Sequence, residues 1–593
     1  MANVTPVHKK ESKQLIKNYR PISLIPIFAK VFERIVFMQL YNHLIANNLI
    51  TNNQSGFRPG DSVTNQLTFL VHEILKNFDN NEHLETRSVY LDMSKAFDKV
   101  WHEGLIYKLD QNGVKGNLLE MFKSYLTGRK QRVALNGEFS DWGFINSGVP
   151  QGSVLGPLLF LVYVNDLENG IKSSIKFFAD DTSLFSVVHD PLITADELNY
   201  DLNLIAKWAV QWKMSFNPDP TKPAVEIIFS RKHIKHDHPP LTFNGVTVKR
   251  VTEHQHLGLT LDSKVTFGQH ISEKLAKARK GIGVIKYLSR YVPIKTLDQI
   301  YKMYVRPHLD FCDIIYHTPE IESLFSSSIR LSFWMDQIER VQYQAALAIT
   351  GTWKGTNRDK IYEELGWESL SRRRWFRRIV QIFKLQNNPS TPTYLKSIIP
   401  PPLTSVRNTR SGTKISNIDA KRDYFKNSFY PHAINSWNKL DTSLKEANSI
   451  KELKSNILKL IRPSKKSIFG IYDPIGIKRI FQLRVGLSPL REHKFRKNFL
   501  DTPTPLCSCG ESTETTAHFF LQCQKYNDTR AILMQVVTPV LEANNLAFPN
   551  DETFAKLLLY GHETLSKQLN LVVINETVKF IHTSERFSST DGQ

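Results

Sequence analysis

The sequence predicts an α+β fold in which a small sheet of split βαβ type is followed by a long helical region. Three observations carry that expectation. Two short apolar runs end in or enclose carboxylates: Arg87-Ser88-Val89-Tyr90-Leu91-Asp92, and Ile175 to Phe185 with Phe178-Ala179-Asp180-Asp181 inside it. The chain between them alternates helical periodicity with an Asn136-Gly137 turn. From Ile271 to Gly351 apolar positions recur at helical spacing among Lys274, Lys277, Arg279, Lys280 and Lys286.

Taken in order, Tyr19 begins a Pro-terminated apolar strand pattern, and Ile27, Val31, Ile35 and Met38 mark a helix from Ile27 to Ile45. A strand then ends at Asp92, helices run through Leu126, and a hairpin turns at Asn136-Gly137. A helix follows Gly152, then comes the Asp-Asp hairpin, an amphipathic helix from about Ala195 to Trp212 and a strand from Val225 to Ser230. Strand, helix, hairpin, helix, strand is the split βαβ order. Leu241 to Asp262 reads as a further hairpin region with a turn at Asn244-Gly245. Pro400-Pro401-Pro402 and the polar residues through Thr413 mark a linker. The expected divisions are 1–265 for the mixed α/β part, 266–351 for the helical region, 352–500 for a basic helical connector with its linker near 400–413, and 501–593 for a C-terminal region.

A chain of 593 residues with 41% hydrophobic and 11% aromatic content has ample material for a folded core. Its net charge of +20 calls for a polyanionic partner, and the wide distribution of Lys and Arg suits nucleic acid better than one membrane-facing helix. The longest apolar stretch, Val154 to Val164, contains Pro157 and falls short of the roughly 20 residues a membrane span needs. No membrane association is expected. The N-terminus lacks a secretory pattern, so an intracellular, reducing setting without disulfides is the expectation.

Chemistry is suggested first by Asp92, Asp180 and Asp181. An Asp pair at a turn is ordinarily a solvated or capping feature. Two strands laid side by side, each ending in Asp, instead bring three hard oxygen donors to one point, which is how a protein holds two Mg²⁺ ions for phosphoryl transfer. A second ligand set lies near the C-terminus: Cys507, Cys509, His518 and Cys523 in a Cys-x-Cys-x8-His-x4-Cys pattern. Three thiolates and an imidazole make a closed, structural Zn²⁺ site; reduced, unliganded thiols are the alternative. Arg372-Arg373-Arg374-Trp375-Phe376-Arg377-Arg378 interleaves cations with aromatics, a composition suited to phosphate contacts and base stacking, or to nuclear import.

Five motifs occur in a fixed order: Tyr19-Arg20-Pro21-Ile22-Ser23-Leu24, Gln54-Ser55-Gly56-Phe57-Arg58-Pro59-Gly60, Leu91-Asp92-Met93-Ser94-Lys95-Ala96-Phe97-Asp98, Gly148-Val149-Pro150-Gln151-Gly152-Ser153 and Phe178-Ala179-Asp180-Asp181. In these the chain resembles the reverse transcriptases of non-LTR retrotransposons, jockey-like LINE elements in particular, and with the Cys/His cluster the resemblance extends over nearly the whole chain. It implies a right-hand polymerase with fingers, a palm carrying the split βαβ sheet and a helical thumb, followed by the basic region and a small zinc knuckle. The activity implied is RNA-directed DNA polymerisation with two Mg²⁺ ions, on template RNA, with primer or target DNA and deoxynucleoside triphosphates.

By the same resemblance Asp92 and Asp180 bridge the metals and Asp181 is the third carboxylate. Phe97 selects against a ribose 2′-hydroxyl, where its residue type alone would suggest core. Gln151 and Gly152 bring backbone close to nucleotide and template, and Arg58 contacts the triphosphate rather than serving as an ordinary surface arginine. Lys222 matches the proton donor to pyrophosphate, although Asn217-Pro218-Asp219-Pro220-Thr221-Lys222 delays it by two positions relative to the family spacing. The implied setting is a ribonucleoprotein in nucleus and cytoplasm. Full-length relatives carry an endonuclease ahead of the polymerase, and Tyr19-Arg20-Pro21 arrives too early here to leave room for one, so the expectation is a truncated element, a mis-bounded gene model, or a protein that needs a nick made by something else. Two rival readings are a catalytically decayed nucleic-acid-binding relic and a related palm polymerase of maturase or telomerase type.

Overall fold

The computed structural model describes residues 1–9, 12–216, 224–233, 236–316, 333–401, 414–461, 470–548 and 550–587. They divide into two units, one formed by Met1–Phe267 with Gln381–Lys439, the other by Gly268–Val380 with Leu440–Gln593. Residues 381–439, within the expected connector, thus cluster with the first unit.

The first unit opens with β1 (Ala2–His8), β2 (Tyr19–Leu24), helix α1 (Ile27–Ala46), helix α2 (Val63–Asp79) and strand β3 (Glu85–Asp92). Helices α3 (His102–Gln111) and α4 (Gly116–Leu126) lead into β4 (Lys130–Leu135), β5 (Glu138–Phe139) and β6 (Gly143–Phe144). The hairpin turn falls at Asn136-Gly137, both with positive φ (52° and 89°), the type I′ requirement that makes Asn-Gly a hairpin signal. Helix α5 (Leu155–Val164), the antiparallel pair β7 (Ser174–Phe178) and β8 (Asp181–Val188), helix α6 (Pro191–Gln211) and β9 (Val225–Phe229) complete the expected order. After them come β10 (Thr242–Phe243), β11 (Val246–Thr247), β12 (Lys249–Arg250), β13 (Glu253–His256) and β14 (Leu259–Asp262).

The central sheet runs β12-β9-β3-β8-β7, with β3 antiparallel to both β8 and β9. Alternation sends Val89, Leu91, Ile175, Phe177 and Leu184 to one face, where they join α3, α5 and α6 in the main core. Arg87 and Glu226 form a fully buried ion pair at 2.7 Å across β3 and β9, and Arg250 of β12 reaches the same carboxylate at 2.8 Å. A second sheet, β2-β1-β4-β5 with β6 on β4, flanks it in sequence order.

Two expectations change. The α1 stripe Ile27, Val31, Ile35 and Met38 is exposed, from 53% to 78%, and the buried face is Glu33, Val36, Leu40 and Leu44. Apolar residues occupy both sides of this helix, so periodicity alone does not select the packed one.

The second unit begins with α7 (Gly268–Leu288), α8 (Ile294–Ile300), α9 (Arg306–Asp310), α10 (Asp313–Tyr316), α11 (Phe333–Thr350), α12 (Arg358–Leu365) and most of α13 (Leu370–Asn387). The Arg372–Arg378 string lies on α13, and the second change is that three of its members are inside: Arg374, Arg378 and Trp375 are buried. Arg373 forks onto Asp310, with Nε–Oδ1 at 3.1 Å and Nη2–Oδ2 at 2.8 Å, Arg377 pairs with Asp313 at 2.7 Å, and Arg378 donates twice to the Ile314 carbonyl. The string reads as a phosphate-binding patch because its acidic partners sit some sixty residues upstream; in the fold it is a core ion network. Among the described residues no helix is long and apolar enough to cross a membrane.

Candidate active site and metal centres

Strand register assembles the first site. Asp92, the last residue of β3, lies directly opposite Asp181, the first of β8. Residues so paired have Cβ atoms about 5 Å apart. Phe178 pairs with Asp181, leaving Ala179-Asp180 as a two-residue loop. Ala179 adopts φ 57°, a left-handed conformation costing roughly 1–2 kcal/mol for a residue with a Cβ.

The motif around Gln54 holds that loop. Ser55 N donates to the Phe177 carbonyl at 2.9 Å and Phe177 N to the Asn53 carbonyl at 2.9 Å, so 53–55 runs as a short parallel partner of β7. The buried Gln54 Oε1 accepts from Ala179 N at 2.9 Å and from Gly56 N at 2.8 Å. A Cβ on Gly56 would lie 2.4 Å from Ala179 N, so only glycine allows this approach. Gln54 is a positioning residue that sequence reasoning missed, although it heads one of the five motifs.

The carboxylates repel one another. Burial pushes the Asp181 carboxyl up, Asp180 and Asp92 add to it, and it reaches about 7. Burial and Asp92 also raise Asp180, against which Arg20 and Lys9 act. A set of mutually repelling carboxylates fits divalent cations with oxygen preference. Its donors are placed by register rather than gathered: among the described residues the one group of three or more ligating side chains whose donor atoms all lie within 4.8 Å of one another is the Cys/His cluster.

Phe97 sits on a 3₁₀ turn, Ala96–Asp98, five residues beyond Asp92. Its ring stacks on Phe160 of α5 (4.7 Å, 16°) and meets Phe57 edge-on (6.0 Å). Gln151 Nε2 donates to Asp98 Oδ1 at 2.9 Å, and the Gln151 carbonyl accepts from Ser23 N at 2.7 Å. Gly152 has φ 102°, and a Cβ there would meet the Ser23 carbonyl at 2.8 Å. The start of the following helix is fixed by Glu33, which accepts from Val154 N (2.6 Å) and Leu155 N (3.3 Å). That buried carboxylate at a helix N-terminus was also missed. Arg58 is half-buried, with Nη1 donating to the Thr51 carbonyl at 2.8 Å. Lys222, with the delayed Asn217 to Lys222 spacing, lies outside the described residues.

The second site is in the other unit. Cys507 Sγ and Cys523 Sγ are 3.8 Å apart, and Cys509 Sγ lies 3.3 Å from His518 Nε2. A tetrahedron with metal–sulfur bonds of about 2.3 Å has sulfur–sulfur edges of about 3.8 Å, so the thiols are set at ligating distance. His518 Nδ1 is 2.7 Å from Ser512 Oγ, which orients the ring and leaves Nε2 for a metal. Cys507 and Cys523 are buried and Cys509 is partly exposed. Gly510, at φ 87°, turns the chain after Cys509.

Residues 7–261 match the family described as reverse transcriptase (RNA-dependent DNA polymerase). The chain is 30% identical over 314 residues to the probable RNA-directed DNA polymerase from transposon BS of Drosophila melanogaster, covering 51% of this chain and 34% of that protein. It is 31% identical over 312 residues to the RNA-directed DNA polymerase from mobile element jockey of Drosophila funebris, covering 51% and 33%. The likeness to these relatives therefore covers about half the chain rather than nearly all of it, and the chain spans about a third of their length. The structure of apo telomerase from Candida tropicalis aligns with a TM-score of 0.34 at 11% identity, over 67% of this chain and 65% of that one.

Proposed function

We propose, from the premise that residues 7–261 are a reverse transcriptase domain related to those of jockey and other non-LTR transposons, that the chain copies retrotransposon RNA into DNA. The observation that carries this reading is the pairing of Asp92 with Asp181 beside the Asp180 loop, because a nucleotidyl transferase needs carboxylates at one point and little other covalent chemistry. Asp92, Asp180 and Asp181 would hold two Mg²⁺ ions, which would supply Lewis acidity toward the primer 3′-hydroxyl and countercharge for the triphosphate.

The chain's own residues orient and select. Gln54 and Gly56 keep the Asp180 loop in its left-handed turn. Phe97, braced by Phe160, occupies the space a ribose 2′-hydroxyl would need and so favours deoxynucleotides. Gln151, tied to Asp98, and Gly152, with no Cβ, let backbone line the nucleotide and template. Arg58 meets the triphosphate after exchanging its bond to Thr51, since a planar guanidinium suits phosphate oxygens. Lys222 gives a proton to the leaving pyrophosphate. Template RNA, primer or target DNA and deoxynucleoside triphosphates are the partners, in an intracellular ribonucleoprotein of cytoplasm and nucleus. The Cys/His cluster takes a structural Zn²⁺ that fixes the C-terminal region.

Primer extension by the purified chain on poly(rA)·oligo(dT) and on poly(dA)·oligo(dT), beside an Asp180→Ala, Asp181→Ala variant, tests the reading. Extension on the RNA template that the variant lacks is expected. RNA binding without extension in either protein would leave a binding relic.

A further inference from the structure

The loop that carries Arg58 begins at Ser55 and ends at Asp61, and one hydroxyl joins those two feet. It belongs to Tyr394 on the short helix α14 (Thr393–Lys396), 333 residues beyond Asp61 and outside the residues that match the reverse transcriptase family. Tyr394 OH donates to the Asp61 carboxylate, 2.9 Å from Oδ2 and 3.1 Å from Oδ1, and lies 3.2 Å from Ser55 Oγ. A phenol has one proton and an ionised carboxylate only accepts, so Ser55 is the donor in its bond to Tyr394. The hydroxyl thus gives to one foot of the loop and accepts from the other.

The ring beneath that hydroxyl is held on two sides. Phe69 of α2 meets it edge-on (5.1 Å, 88°), and the buried Lys176 of β7 sets its ammonium 4.1 Å from the ring centroid while donating to Asn53 Oδ1 at 2.8 Å. Neighbouring chain closes on the loop as well. Gly60 (φ 86°) lies so near Ser390 that a Cβ there would stand 2.1 Å from the Ser390 carbonyl oxygen, and Gln381 Nε2 donates to Asn65 Oδ1 of α2 at 2.6 Å. The glycine that ends the Gln54–Gly60 motif is therefore required by a segment far outside residues 7–261.

Between its feet the loop is strained and carries function. Phe57 holds a left-handed conformation (φ 58°), which persists where the surroundings impose it, and Arg58 reaches back to the Thr51 carbonyl. Ser55 also follows Gln54, the residue that holds the Asp180 loop.

We infer that Tyr394 is a positioning residue for nucleotide addition: by closing the base of the 55–61 loop it sets the reach of Arg58 toward the incoming triphosphate. The inference rests on the polymerase reading for the role of Arg58, but not for the clamp itself.

The test uses the full chain with Tyr394→Phe, which removes the hydroxyl and keeps the ring, and with Thr393→Ala, an exposed neighbour on the same helix, as control. Single-nucleotide incorporation on a preformed primer–template gives KM for the deoxynucleotide and kcat. Inorganic tripolyphosphate is titrated as an inhibitor, and hydrogen exchange follows the amides of 55–61. A hydrogen bond to a charged acceptor is worth about tenfold in an equilibrium. Tyr394→Phe is therefore expected to raise KM about tenfold with kcat within about twofold, to weaken tripolyphosphate by a similar factor, and to speed exchange in 55–61 about tenfold while β3 and β8 exchange as in the wild type. Added to Arg58→Ala it should raise KM no further, because the hydroxyl acts through the guanidinium. Unchanged exchange in 55–61, or a fall in kcat at constant KM, would overturn the inference. So would additive effects of Tyr394→Phe and Arg58→Ala, or exchange that rises equally throughout the first unit, which would make the hydroxyl a general stabiliser. A wild type that does not extend, with exchange in 55–61 still faster in Tyr394→Phe, would reject the polymerase reading and leave the clamp standing.

Discussion

The two ligand sets of this chain are built in opposite ways. The thiols and imidazole near the C-terminus stand at ligating distance, with the imidazole turned by Ser512, so a metal there completes a finished tetrahedron. The carboxylates of the other unit are brought together by strand register, one of them on a strained two-residue loop, and they repel each other. A closed set suits a metal that holds structure. A set of mutually repelling carboxylates suits metals whose remaining ligands arrive with the substrate.

The contrast is broken most severely at Asp92. Asp92→Asn is expected to lower single-nucleotide incorporation by about 10³-fold or more, since metal-held charge stabilisation contributes several kcal/mol to the barrier. Its melting temperature should stay within a few degrees or rise, because one repelling charge has gone. At the other site the effects should be reversed. Cys523→Ala, or chelation of zinc, should destabilise the C-terminal region by roughly 3–5 kcal/mol, read as an early calorimetric transition, with a smaller change in extension on a preformed primer–template. Equal rate losses from both variants would erase the distinction.

Gln54 tests whether the loop is held in place. Gln54→Met leaves the Ala179 and Gly56 amides buried without an acceptor, so a loss of about 2–4 kcal/mol in stability is expected, with incorporation slowed at unchanged primer–template affinity.

Acid sharpens the comparison of the two units. Burial lowers His72 and His256 to about 3, and both belong to the first unit. In the second unit burial lowers His270 and His493 to about 4. These rings stay neutral in the fold while the unfolded chain takes up protons near pH 6.5. Their contribution is therefore complete above about 6.5 and is lost as pH falls toward the folded values. At pH 5 each of His72 and His256 should cost about 2 kcal/mol, measurable by urea denaturation, and His256→Phe should flatten the dependence in the first unit. The smallest effect is expected from Ala179→Gly, which removes the left-handed strain for a gain of about 0.5–1 kcal/mol and leaves the rate within twofold.

Much of this was legible in the residues. Carboxylates at strand ends, Asn136-Gly137 at a turn and the Cys/His spacing are local signals, and the structure realises each of them where the sequence has it. What escaped depends on partners far along the chain. The arginines of α13 read as free cations because Asp310 and Asp313 are distant in sequence. Glu33 carried no local signal because its partners are amides more than a hundred residues away. The α1 stripe misled for a different reason: with apolar residues on both sides, burial was decided by packing rather than by period.

The most direct measurement is single-turnover incorporation of one deoxynucleotide on an RNA template, titrated with Mg²⁺, in the wild type and in Asp181→Asn. Incorporation that requires Mg²⁺ in the wild type and is absent from a variant that still binds primer–template is expected. Undiminished incorporation by Asp181→Asn would contradict the assignment of the paired carboxylates as the seat of the chemistry.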